Sequence, residues 1–481
     1  MATLTEPTST TSTPDASDGS RLTGRLGPWS IVFMVMAAAG PLTAVAGTFP
    51  IGIAAGNGAA FPAAYIVCTV ILLIFSFGFT AMTRHVTEGG AFASYIAKAM
   101  GRPTGTGAAF LALTTYMMIQ LALIAFAGVS INSLMVGHGG PDVPWWVCSF
   151  VVLGAVAVLG YRHIELSGKL VGTLLVCELA IVLAMDLVVV GRGGGKEGFA
   201  TAAFSPANFF DGAPGIALLF AVTGYIGFEA TAIFRNEARD PERTIPIATF
   251  CSLLLIGGFY AFSSWAVVSA WGDHGAVARA LKDPATMIAD TGVDTLGSTG
   301  GTIIEVLICT SVFAAVLSFH NVISRYLFAQ SANVLPSALG RPHPRHHSPY
   351  IASVTTTVLG VALLVGSLAF GLDPILEIFT WFAGVGVMGV IALMLGTSVA
   401  ALIFFRGHPG LTDVFRSTVA PLLSILGIGW LLWMTIDNLP LLVGGSNTVA
   451  LVLSGVLVAA FVAGVIAALR RTPVPASPQA N

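Results

Sequence analysis

The sequence predicts an all-α integral membrane protein with twelve transmembrane helices. Of its 481 residues 55% are hydrophobic and 9% are charged, and the mean hydropathy is +0.87; soluble domains carry roughly 25% charged residues. A helix needs ~20 residues to cross a bilayer, and twelve apolar segments of the chain approach or exceed this length. The net charge of −2 gives no reason to expect a nucleic-acid partner.

The apolar segments lie between two polar tails. Residues 1–24 and 471–481 are rich in Ser, Thr and Pro and predict cytosolic tails, the first of them disordered. Residues 25–470 are predicted to form one transmembrane domain in contact with lipid. The predicted spans are 29–55, 59–83, 104–136, 144–161, 166–191, 213–236, 247–271, 300–330, 349–370, 374–405, 415–435 and 447–469. Residues 88–101 and 275–290 predict two further helices that do not cross, a cytosolic interfacial one and an external amphipathic one.

The positive charges predict the orientation. With the N-terminus inside the cell, 17 of the 21 Lys and Arg residues fall in internal loops and tails. Cytosolic segments of membrane proteins carry such an excess of Lys and Arg. The even number of spans then places both termini in the cytosol.

Two uncharged segments are interrupted at matching places in the two halves of the chain. Gly40 and Pro41 interrupt the first span, and Gly224 and Gly227 interrupt the sixth. A break within the bilayer is tolerated only where protein or water meets the freed backbone groups, and paired breaks indicate a binding site between repeats. The count indicates an inverted repeat of five helices, over 29–191 and 213–405, followed by two helices over 415–469.

The first break predicts backbone groups that could bind a substrate carboxylate and a cation. Pro41 has no N–H and opens the helix, so the chain from Leu42 and Thr43 would aim unpaired N–H groups at a substrate carboxylate. The helix ending near Ala39 would offer free carbonyls to a cation. A simple proline kink, stabilised by neighbouring helices, is the competing interpretation.

The second break predicts carbonyls for a substrate ammonium at Val222, Thr223 and Gly224. Tyr225 would gate the site or stack on the substrate. Gly227 is predicted to begin the next half-helix, with Glu229 within its first turn, where a carboxylate is favoured. For Glu229 a structural role is preferred to direct substrate contact.

Acids within the predicted spans are functional hypotheses because a buried carboxylate is costly. Glu178 lies in the middle of span five and is the candidate proton site, with a structural hydrogen bond as the alternative. Asp186 lies two turns further out, and Glu305 and Glu377 lie near external helix ends. Further polar residues on spans three and eight predict hydrogen bonds between helices: Tyr116, Gln120, Thr310, Ser311, His320 and Asn321. Of these, Tyr116 is also a candidate for contact with the substrate.

No sequence pattern supports a metal site, a cofactor or an enzyme. The five cysteines each lie alone in an apolar segment, and the histidines of the segment that contains His343 predict a basic loop rather than metal ligands. A Gly-rich stretch near Lys196 lacks the Ser or Thr of a phosphate-binding loop.

Three stretches resemble the permeases of the amino acid–polyamine–organocation (APC) superfamily: Thr87–Ala112, Gly224–Ala248 and Ser324–Gly340. The resemblance implies a LeuT-type fold of five plus five helices and secondary active transport. It implies a substrate held by the backbone of helices one and six, which by position means Ala39, Gly40, Pro41, Leu42 and Thr43 with Val222, Thr223, Gly224 and Tyr225.

The chain departs from the superfamily at two of these places. It has Gly40-Pro41 where the superfamily usually has Gly-x-Gly, which removes one flexible donor for a substrate carboxylate. Some proton-coupled members have a lysine at the position that matches Glu178, so the resemblance leaves the coupling scheme open.

The leading hypothesis is a plasma (cell inner) membrane permease for an amino acid or related amine, driven by proton symport or exchange. The alternatives are a transporter of the same fold for a polyamine, a nucleobase or a metal ion, and a membrane sensor that transports nothing.

Overall fold

The computed structural model describes residues 26–86, 91–162, 168–234, 238–331, 334–343 and 349–470. Both predicted tails therefore lie outside the described residues. Within them the chain is helical and forms no strand beyond two isolated bridges, one of which joins Leu26 to Ala238.

The first half contains seven helices. They are α1 (Pro28–Ala39), α2 (Pro41–Ile51), α3 (Phe61–Thr83), α4 (Ala91–Met100), α5 (Arg102–Gly137), α6 (Trp145–Tyr161) and α7 (Gly168–Gly191). A π-helical turn and a 3₁₀ turn connect α2 to α3 over Gly52–Ala60. The helix predicted over 88–101 corresponds to α4, and residues 87–90 before it lie outside the described part.

The remaining helices are α8 (Pro206–Phe209), α9 (Pro214–Thr223), α10 (Ala230–Ile233), α11 (Pro241–Trp271), α12 (Asp273–Lys282), α13 (Met287–Ser331), α14 (Tyr350–Ala369), α15 (Thr380–Gly407), α16 (Ala420–Leu442) and α17 (Asn447–Arg470). Among the described residues, nine helical stretches are long and apolar enough to cross a membrane, with Pro41–Thr83 counted as one, and three shorter apolar helices lie at Pro28–Ala37, Trp145–Tyr161 and Pro214–Thr223.

The external helix predicted over 275–290 is wrong in its extent. Helix α12 ends at Lys282, and α13 begins at Met287. Asp283, which precedes Pro284, is extended with φ −160° and ψ 93°, because a residue before proline is driven out of the helical region. A second interruption lies within α13 itself, where Gly297 has φ 77° and ψ 178° and precedes the long apolar part of the helix.

Helix α5 lies at the centre of the bundle and packs against α6, α13, α15 and α17. The contact between α5 and α17 depends on small residues. A Cβ added at Gly464 would lie 2.7 Å from the Thr106 carbonyl oxygen and 2.9 Å from the Gly107 Cα. Such close approach of backbones is a usual way for helices to associate in lipid.

Gly464→Leu is therefore expected to separate α17 from α5. Overpacking of this kind typically costs ~1–3 kcal/mol, so the unfolding temperature of the purified protein in detergent should fall. Gly455→Leu is the matched control, because Gly455 lies on the same helix, is exposed and has no atom within 4 Å of an added Cβ. Equal unfolding temperatures for the two variants would contradict this packing.

Candidate functional site

The first helix breaks where the sequence predicts it. Helix α1 ends at Ala39, and Gly40 adopts the left-handed conformation with φ 55° and ψ 68°. Glycine adopts this conformation without the steric penalty that other residues meet. Helix α2 starts at Pro41, whose missing N–H would have no partner at this position in any case.

The start of α2 is capped by a carboxylate from another helix. The Leu42 N–H donates to Glu178 Oε2 at 3.1 Å, and the Ser311 hydroxyl donates to the same oxygen at 3.1 Å. Thr43 donates to the Ser311 hydroxyl oxygen from its N–H at 3.3 Å and from its own hydroxyl at 2.8 Å. The prediction that the Leu42 and Thr43 N–H groups are unpaired is therefore wrong.

Physical chemistry accounts for this arrangement. A helix N-terminus favours an anion, and a buried carboxylate needs hydrogen-bond donors. Glu178 is 4% exposed and Ser311 is 2% exposed, so the protein supplies those donors. Glu178 Oε1 accepts no hydrogen bond from the residues that the structure describes.

A cavity of about 330 Å³ extends from this carboxylate between α1, α7 and α13. Gly40, Pro41, Glu178 and Ser311 line its inner end, and Arg325 lines it fourteen residues further along α13. The wall between them is largely apolar and includes Phe33, Met34, Leu174, Leu175, Leu317 and Val322.

The second break is wider than the sequence predicts. Helix α9 ends at Thr223, and α10 does not begin until Ala230. The prediction that Gly227 begins the half-helix is wrong, because Gly227 has φ 109°, which no helical residue adopts. Glu229 consequently precedes α10, and its Oε2 accepts the Gly227 N–H at 2.9 Å.

Two of the carbonyls predicted for a substrate ammonium already accept hydrogen bonds. The Tyr225 N–H donates to the Val222 carbonyl at 2.9 Å, and the Ile226 N–H donates to that of Thr223 at 3.2 Å. A carbonyl oxygen has a second lone pair, but neither carbonyl is free in the sense that the sequence predicted.

Tyr225 is directed toward α3 rather than into the cavity. Its hydroxyl donates to the Tyr65 carbonyl at 2.9 Å and lies 2.6 Å from the Thr69 hydroxyl. The cavity lining does not include Val222, Thr223, Gly224 or Tyr225. Their contact with a substrate stays a prediction.

Tyr116 also lies away from the cavity. The side chain is buried, with its ring 5.8 Å from that of Phe319 and 5.7 Å from that of Tyr326. Its hydroxyl is near the Glu229 carboxyl group. Tyr116 therefore connects α5 to the second break and to α13, and its role in binding substrate stays a prediction.

The other acids of the spans have local partners. The Ser263 hydroxyl donates to Asp186 Oδ2 at 2.6 Å. Glu305 lies 4.0 Å from His138, and Glu377 accepts the Asp373 N–H at 2.6 Å. In the described part of the chain, no three His, Cys, Asp or Glu residues are grouped so that they could hold a metal ion.

The chain matches the family model for amino acid permeases over residues 30–473. The chain belongs to the amino acid permease family. The permease is therefore a multi-pass membrane protein of the APC superfamily, as its motifs predicted, and the family points to a transporter rather than to an enzyme.

Several characterised proteins are similar to this permease. The low-affinity putrescine importer PlaP of Escherichia coli (strain K12) is 21% identical over 392 residues, which cover 80% of this chain and 82% of that protein. The L-asparagine permease of Salmonella typhimurium is 24% identical over 376 residues, covering 72% and 71%. The serine/threonine exchanger SteT of Bacillus subtilis (strain 168) is 30% identical over 257 residues, covering 51% and 55%.

Proposed function

We propose that this permease is a secondary active transporter for an amino acid or related amine, and that it works by alternating access and is coupled to protons by symport or exchange. One observation carries the proposal: the cavity reaches a buried carboxylate that caps the broken first helix. An ionisable side chain within a membrane span is energetically costly, and such residues typically mark a functional site.

The proposed architecture has twelve spans, with the first repeat over 29–191, its inverted copy over 213–405 and two further helices over 415–469. The breaks after Ala39 and after Thr223, each in the first span of its half, support this division. The proposed orientation has both termini in the cytosol of a plasma-membrane protein. The cavity end lined by Phe33 and Arg325 then faces the cytosol.

The proposed site consists of the first break, Glu178 and Ser311 at the inner end of the cavity. In the alternating-access cycle, α1 and the second break would move against the rest of the bundle and bring Val222, Thr223 and Gly224 to the substrate. Tyr225 and Tyr116 are proposed to control that movement, because each connects the second break to a neighbouring helix.

Substrate and coupling are open to a direct test. The relatives are named as a putrescine importer, a serine/threonine exchanger and an L-asparagine permease, which supports both substrate classes. Purified permease in proteoliposomes should take up a labelled amine or amino acid above the level of empty liposomes, and an imposed pH gradient should change the rate. Uptake equal to that of empty liposomes across both classes would overturn the proposal.

A further inference from the structure

We propose that Glu178 occupies the place of the substrate's carboxylate, so that the substrate of this permease is a primary amine without an α-carboxylate. The inference rests on the proposed transport function and deepens it. It starts from the anion-binding end of α2, which is already filled by a side chain of the protein.

The start of α2 has little left to offer a second anion. Pro41 contributes no N–H, the Leu42 N–H is used by Glu178, and the Thr43 N–H is used by Ser311. A substrate carboxylate placed here would also lie beside the Glu178 carboxylate, and like charges at such a distance repel strongly in a poorly solvated site.

The same carboxylate can serve an ammonium group. Both of the hydrogen bonds that Glu178 accepts from described residues go to Oε2, and Glu178 lines the inner end of the cavity. An ionised carboxylate accepts at both oxygens. An ammonium that donates to Oε1 would pair the buried charge, which is the arrangement that buried charges require.

The remaining wall defines the body of the substrate. Of the described residues that line the cavity, Glu178 is the one acid, and the wall that leads from it toward Arg325 includes Phe33, Met34, Leu174 and Leu175. Arg325 lies roughly 21 Å along α13 from Ser311 at 1.5 Å per residue. These features fit one ammonium group attached to an apolar alkyl or aryl body, and they do not provide a second acid for a diamine.

The test compares amines with the amino acids from which they differ by one carboxylate. Binding to the purified full chain is measured by calorimetry for phenethylamine and phenylalanine, for isoamylamine and leucine, and for putrescine and ornithine. We expect each apolar monoamine to bind at least about tenfold more tightly than its parent amino acid and than putrescine.

Variants of Glu178 provide a second and independent measurement. Glu178→Ala should weaken phenethylamine binding by roughly a hundredfold or more, because the ammonium loses its buried partner. It should also improve phenylalanine binding, because the N-terminus of α2 is vacated for the substrate carboxylate. Added acetate should restore amine binding to the variant by refilling the vacated place.

The outcomes separate this inference from the proposed function. Tighter binding of the amino acids than of the amines to the unchanged protein would overturn the inference and leave the transport function standing. Tighter binding of putrescine than of phenethylamine would overturn the inference that the substrate has a single ammonium group and an apolar body. If neither series binds nor is taken up, both proposals fail.

Discussion

Glu178→Gln is expected to make uptake insensitive to an imposed pH gradient while leaving the protein folded. The Gln amide oxygen can accept the same two hydrogen bonds from Leu42 and Ser311 that Glu178 accepts, but the amide cannot bind and release a proton. A gradient of one pH unit is worth ~1.4 kcal/mol per proton. In proteoliposomes at saturating substrate, the ratio of uptake with the gradient to uptake without it should fall to about one.

Glu305→Gln is the matched control, since it makes the same chemical change on α13, eight residues after the interruption at Gly297 and away from the cavity lining. It should keep the response of the unchanged protein. A response to the gradient that persists in Glu178→Gln would remove Glu178 from the proposed proton role.

The two roles proposed for Glu178 constrain the coupling scheme. If one carboxylate binds both a proton and the ammonium of the substrate, the two ligands compete for it. Competition of this kind favours exchange of a proton for the amine over their joint movement. Uptake of labelled phenethylamine into proteoliposomes should then be faster when the interior is more acidic than the exterior. Each proton that leaves down its gradient would drive the entry of one amine.

The first break shows what the sequence can predict. Proline cannot supply an N–H, and the glycine before it can adopt a positive φ, so Gly40-Pro41 locates the end of α1 from local chemistry alone. The sequence also predicts the position of the second break, but it does not predict how long that break is. The sequence does not show which glycine takes the positive φ, and Gly227 with φ 109° delays α10 to Ala230.

The partners of Glu178 could not be predicted in the same way. Its contacts join residues 136 and 133 positions apart in the chain. Helix α7 is apolar around most of its circumference, so hydrophobic periodicity does not tell which face meets α2 and α13. The sequence marks Ser311 as one polar group among several, and only the fold shows that it donates to Glu178 and accepts from Thr43.

Gly224→Leu is expected to abolish uptake without preventing insertion into the membrane. A Cβ added at Gly224 would lie 2.8 and 2.9 Å from two ring atoms of Tyr260 and 3.3 Å from the ring of Tyr65. Both rings are fully buried and belong to an aromatic cluster with Phe49 and Tyr225. Because both rings are packed inside this buried cluster, we expect the larger side chain to displace the second break itself.

Gly258→Leu provides the control for size and hydrophobicity. Gly258 lies on α11, two residues before Tyr260, but it is exposed and has no atom within 4 Å of an added Cβ. Both variants should be recovered from membranes as monodisperse protein, and uptake in proteoliposomes should fall to the level of empty liposomes only for Gly224→Leu. Gly224→Ala, which adds the Cβ alone, should give an intermediate loss of uptake.

Uptake by Gly224→Leu at the rate of the unchanged protein would contradict this prediction. It would show that transport does not require the second break to approach α3 and α11 this closely, and it would remove the second break from the proposed site.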